Sequence, residues 1–240
     1  MRLYPIQGEG SRKQVRLRAW ALIWAVATIT TIYAAGALAG PATDHKAGAR
    51  KPPIRADPIS YGDDRKAEMA HYSRRHYGDR DWRLRDPKVI VLHFTATDSY
   101  SAVWSTFDSN APDLGEKPGV CSQYVIEQSG TIDQLVPPSV RCRHTIGLNQ
   151  VAIGIEMVQS TGRGSHWADQ QILGRDHQIG AALRLVRWLQ ARYGIPTGEV
   201  IGHAMANDDP YFKDLEGWTN DHTDWLKRDV KEFRQRLKHR

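Results

Sequence analysis

Two histidines close apolar runs in this sequence. His93 follows Val89-Ile90-Val91-Leu92, and His203 follows Val200-Ile201-Gly202. A side chain at the carboxyl end of a buried strand projects from a rigid element into the crevice where α/β sheets bind ligands. A lone strand-end histidine is more often a hydrogen-bonded structural residue. Two similar ends followed by a third polar cluster change that balance. The cluster is Asn220-Asp221-His222-Thr223-Asp224-Trp225, which supplies both imidazole and carboxylate. A catalytic zinc site needs three such ligands and one open position for water. His93, His203 and one of Asp221, His222 or Asp224 meet that count, and spacing alone does not choose among the three. The plainer reading of the cluster is a helix N-cap by Thr223 or Asp224, which is compatible with ligation. A further carboxylate, Glu156, ends the run Ile153-Gly154-Ile155. It is either an outward-facing strand residue or a general base for an attacking water.

The elements that must position these groups are legible in outline. The run 88–93, after Pro87, reads as a strand buried on both faces. Residues 95–110 read as a helix, followed by a Pro/Gly-rich loop over 111–119. Runs 122–127 and 131–136 flank Gln128-Ser129-Gly130, a hairpin signal. Residues 151–158 read as a strand and 199–202 as a short strand entering His203. Ile172, Ile179, Leu183, Val186 and Leu189 recur at helical spacing, which predicts one long amphipathic helix over 169–193. A C-terminal helix is expected over 224–237. Strands mixed with helices predict an α/β domain with a central mixed sheet flanked by helices, the metal site lying at strand ends.

The chain has 240 residues and a formal net charge of +6. Residues 1–39 hold Arg2, Arg12, Lys13, Arg16 and Arg18 against Glu9, which accounts for +4 of that total. The remainder is near neutral, without a basic stripe carrying interleaved aromatics, so nucleic-acid binding is not expected. Basic residues before an uncharged run from Ala19 to Thr43, with Ala37-Leu38-Ala39 at its end, form the pattern of a secretory signal. The run is also long enough for an uncleaved anchor, which needs roughly 20 apolar residues. Both place the rest of the chain outside the cytoplasm. Residues 40–62 read as a linker, 63–85 as a helical extension with a helix over 65–77, and 86–240 as the catalytic domain. The two cysteines, Cys121 and Cys142, flank the hairpin, and in an oxidising compartment they are expected to bridge across it.

The motifs Val91-Leu92-His93-Phe94-Thr95, Tyr124 through Ile132, Arg143-His144-Thr145-Ile146-Gly147, Ile153 through Glu156 and Val200 through His203 occur in one order. In this the sequence resembles the type-2 N-acetylmuramoyl-L-alanine amidases, which share a fold with peptidoglycan recognition proteins, over roughly residues 86–228. The resemblance implies zinc held by His93, His203 and Asp224, with Glu156 as catalytic carboxylate. It also puts His222 in the place of a catalytic lysine and His144 near the substrate. Tyr124 joins His144 as a candidate contact to sugar or peptide. Trp218, Trp225 and the segment 205–219 are expected to shape the groove. The implied partner is peptidoglycan, the implied state a monomer, with membrane contact only through an uncleaved N-terminal segment. Two rivals accompany this reading: a non-catalytic peptidoglycan-binding module, and a zinc peptidase acting on the stem peptide.

Overall fold

The computed structural model describes residues 49–239. The signal or anchor segment 1–39 and the first part of the expected linker, through residue 48, lie outside the described residues. No helix among the described residues is long and apolar enough to cross a membrane.

Six strands form one sheet: β1 (Arg55–Ala56), β2 (Val89–Phe94), β3 (Tyr124–Ile126), β4 (Ile132–Gln134), β5 (Ala152–Met157) and β6 (Val200–Gly202). Their spatial order is β1-β4-β3-β5-β2-β6. Only β3 and β4 run antiparallel, as a hairpin; the other pairings are parallel. The sheet is therefore mixed, and helices flank it, as the alternation of patterns predicts. The central strands β2 and β5 are apolar almost throughout because helices and loops cover both faces.

Successive strand residues face opposite sides, and that parity sorts the side chains. Ile90 and Leu92 of β2, Ile153 and Ile155 of β5, and Tyr124 and Ile126 of β3 enter one core. There they meet α3 (Ser165–Leu173), α4 (Asp176–Tyr193) and α5 (Lys227–Lys238). Each fully buried aliphatic side chain in that core contributes about 1.5–3 kcal/mol. Val89 and Val91 face the other way, toward a smaller core with Leu148 and Ile201. His93 continues the parity of Val91, and Glu156 sits directly across from it in register.

Three boundaries differ from the sequence expectation. The linker reading fails from residue 55 onward: β1 pairs with β4, and Ile59 is buried beneath α2 (Tyr100–Asp108) and its neighbours. The Pro- and charge-rich composition of 50–62 concealed a short edge strand. The long helix expected over 169–193 breaks at Gly174 and Arg175 into α3 and α4. The helical extension, α1 (Asp63–Tyr77), is integrated into the domain. The ring of His76 is fully buried between Asp214 (2.8 Å) and Glu116 (3.0 Å), and Asn149 donates to the Tyr77 hydroxyl at 2.9 Å.

Candidate functional site

The carboxyl ends of β2 and β6 deliver His93 and His203 into one cavity of about 760 Å³. Asp224 arrives from the irregular segment before α5. The Nδ1 atoms of His93 and His203 lie 3.1 Å apart. Asp224 places Oδ2 at 3.3 Å from His93 Nδ1 and Oδ1 at 3.1 Å from His203 Nδ1. All three residues are buried, and their donor atoms converge as a group able to hold a metal ion. Tetrahedral ligands at 2.0–2.1 Å from a common ion are spaced by about 3.3 Å, so these separations fit a single cation.

The hydrogen-bond network around His93 supports the same conclusion. His144 Nε2 lies 3.4 Å from the Ala152 carbonyl, which can only accept, so this network assigns the proton to Nε2. Neutral His144 then presents Nδ1 as an acceptor to His93 Nε2 at 3.1 Å. That bond leaves His93 Nδ1 with a lone pair aimed at His203 and Asp224, the state a metal ligand requires. Burial, reinforced by His203, pulls His93 down to about 4. Burial, reinforced by His93 and His203, holds His144 well below its ordinary value, so both rings are neutral at pH 7. Gly154 makes this packing possible, because a Cβ there would stand 2.8 Å from the His144 ring.

Burial alone would raise the Asp224 carboxyl, but the hydrogen bond from the adjoining His203 ring, the largest opposing cause, holds it well below the usual carboxylate range. Glu156 is shifted the opposite way. Burial, with a smaller contribution from Asp224, pushes it up to about 8. Its Oε2 is shielded from solvent and has no hydrogen-bond partner. An anionic ligand cluster beside a half-buried carboxyl whose shielded Oε2 has no partner is the environment a divalent cation would stabilise.

His222 stacks on His203 with ring centroids 4.3 Å apart and leaves its outer side exposed at the cavity. Its Nδ1 is 3.9 Å from Asp224 Oδ1, and burial followed by His203 lowers its pKa, so it stands as a neutral ring. Asp221, the competing carboxylate, is exposed at the rim and is not one of the three convergent donors. Cys121 and Cys142 are joined by a disulfide, which tethers the segment carrying Arg143 and His144 to the cavity wall.

Several expected contacts lie elsewhere. Tyr124 is fully buried on the helix side of the sheet, is absent from the cavity wall, and its hydroxyl has no partner. Strand parity turned its neighbour Val125 toward the other face instead. Trp225 is likewise core and not cleft. Trp218 packs edge-on against His76, and none of residues 205–219 lines the cavity. The segment docks on α1 instead, with Leu215 N–H donating to the His76 carbonyl at 2.8 Å. Thr145 belongs to the same cluster, with its Oγ1 2.8 Å from His144 Nδ1 and 3.4 Å from His93 Nε2. Only its adjacency to His144 in sequence pointed to it.

A family model described as N-acetylmuramoyl-L-alanine amidase matches residues 83–222. No curated protein matches the chain. Among solved structures, the chain is similar to the endolysin N-acetylmuramoyl-L-alanine amidase LysCS from Clostridium intestinale URNW. The identity is 17%, 80% of this chain and 100% of that one are covered, and the TM-score is 0.48. The amidase AmiD from E. coli, solved with anhydro-N-acetylmuramic acid-L-Ala-D-gamma-Glu-L-Lys, is 26% identical over 52% of each chain, with a TM-score of 0.38. Human PGRP-IBETAC, solved with glycosamyl muramyl pentapeptide, is 18% identical over 51% of this chain and 74% of that one, with a TM-score of 0.40. The family model spans more than half of the chain and takes in His93, Glu156, His203 and His222, so the chain belongs to the N-acetylmuramoyl-L-alanine amidase family.

Proposed function

We propose that this protein is a zinc-dependent amidase that hydrolyses the bond between the lactyl group of N-acetylmuramic acid and L-alanine in peptidoglycan, outside the cytoplasm. The observation that carries the reading is the convergence of His93, His203 and Asp224 beside Glu156, whose buried Oε2 has no partner, in one cavity. His93, His203 and Asp224 would hold the zinc, which when bound would lower the pKa of a water to about 7 and polarise the amide carbonyl.

The chain's own groups complete the reaction. Glu156, across from His93 on the adjacent strand and ionised when a cation sits beside it, takes the proton of the attacking water and passes it to the nitrogen of L-alanine as that bond breaks. His222, neutral and facing the cavity, donates its N–H to the carbonyl oxygen as negative charge develops there. His144 fixes the His93 tautomer through the bond to Nε2 and borders the substrate space. The Cys121–Cys142 disulfide and the basic-then-apolar pattern of residues 1–39 support an oxidising compartment beyond the membrane. Peptidoglycan is a substrate consistent with that place.

Removing one ligand tests the assignment. The His203→Ala protein is expected to purify without stoichiometric zinc and to release no stem peptide from peptidoglycan. Wild-type turnover in that variant would refute the site.

A further inference from the structure

Asp224 stands in a segment without helix or strand, yet its side chain is buried and aligned with two strand-borne histidines. Something outside the ligand set must hold it. Besides one backbone bond from Ala204, the ties among the described residues run through the next residue, Trp225. Its backbone is in the left-handed region at φ +56°, which a bulky side chain adopts only when its surroundings impose it. Its N–H donates to Asp169 Oδ1 at 3.1 Å, and the N–H of Leu226 donates to Asp169 Oδ2 at 3.0 Å. A single carboxylate, fully buried on α3, therefore accepts both amides that follow the ligand.

Trp225 also touches the strands that carry the other two ligands. Its indole N–H donates to the backbone carbonyl of His93 at 3.2 Å. Its own carbonyl lies against Gly202, the residue before His203, so closely that a Cβ there would stand 1.8 Å from the oxygen. The Ala204 N–H donates to the Asp224 carbonyl at 3.0 Å, which closes the arrangement on the other side. The ring itself is fully buried, edge-on to Phe233 of α5.

We infer that Asp169 and Trp225 are positioning residues of the metal centre. Asp169 sets the backbone of Trp225, and Trp225 registers Asp224 against His93 and His203. The inference rests on the proposed metal-dependent reading. It assigns metal affinity to a carboxylate on α3 that touches neither metal nor substrate. The competing account is that Asp169 only caps the start of α5. A cap would lower thermal stability equally with and without metal. A positioning residue changes the metal's dissociation constant and shrinks the stabilisation that metal adds.

The test uses the purified chain as wild type, Asp169→Asn and Trp225→Phe. Asparagine keeps the shape but offers one acceptor where two amides donate. Phenylalanine keeps a ring on Phe233 but removes the indole N–H. Zinc dissociation constants are read by competition with a chromophoric chelator, and Tm is read with and without zinc. Loss of a partner that orients a ligand weakens metal binding about 10–100-fold. Both variants are expected in that range, with folded circular-dichroism spectra and a smaller zinc-induced rise in Tm than wild type. Wild-type zinc affinity in both variants overturns the inference and leaves the functional reading standing. If Asp169→Asn fails to fold, Trp225→Phe decides alone. A wild-type protein that takes up no zinc overturns the functional reading and the inference together.

Discussion

Replacing Glu156 by glutamine should make the metal-free protein more stable while abolishing its activity. The Glu156 carboxyl is pushed from its ordinary 4.5 up to about 8, chiefly by burial. Because the folded-state value lies above the unfolded one, its stabilising contribution is fully present below pH 4.5 and is lost as pH rises through about 8. Within that window the loss is about 1.4 kcal/mol per pH unit, which amounts to roughly 3 kcal/mol by pH 7. Glu156 borders the cavity, so water there screens part of this cost and makes that figure a ceiling. The assay is urea unfolding of the chelator-treated protein from pH 5 to pH 9, wild type against Glu156→Gln. Asp169 and Asp133, whose pKa values are also raised by burial, titrate in both proteins, so the difference isolates Glu156. The variant is expected to gain on the wild type as pH rises, and the gain should shrink when zinc is restored, because a cation favours the carboxylate. Parallel pH profiles, or a variant less stable at pH 8, would show that the folded protein does not raise the Glu156 pKa.

Other expectations follow from single contacts. His222→Ala should keep its zinc and lower kcat about 10²–10³-fold, as loss of one donor to a developing oxyanion does. Steady-state kinetics with metal analysis check this, and loss of zinc would instead make His222 part of the metal shell. Tyr124→Phe should leave kcat/KM unchanged, because the hydroxyl is buried on the opposite face without a partner. A raised KM would return Tyr124 to the substrate site. The Cys121→Ser/Cys142→Ser double variant should lose about 3 kcal/mol of unfolding free energy, as a disulfide closing a loop with a sequence separation of 21 implies. Unfolding curves with and without reductant measure it.

The parts of the site legible in the sequence are those whose position is set locally. His93 and His203 end apolar strands, and a parallel sheet delivers such ends to one edge. Only the family resemblance separates Asp224 from Asp221 and His222, since nothing local fixes an irregular segment. What holds it is nonlocal: Asp169 lies 56 residues before Trp225, and His93 lies 132 before it. The pairing of Glu156 with His93 depends on the order of strands β5 and β2, which periodicity does not reveal. Tyr124 failed for a similar reason, because one residue of strand parity separates the cavity face from the core. The 50–62 stretch hid its edge strand because two residues of pairing leave no apolar alternation. His76 had no motif, yet it joins α1 to Asp214 and Glu116, contacts made only after the chain folds.

The most direct test of the central claim is mass spectrometry of peptidoglycan digested by the purified protein, by the chelated protein, and by the chelated protein after zinc is restored. Intact stem peptides with a free L-alanine amine are expected, absent after chelation and regained with zinc. Cleavage confined to bonds within the stem peptide, or digestion unchanged by chelation, would contradict that claim.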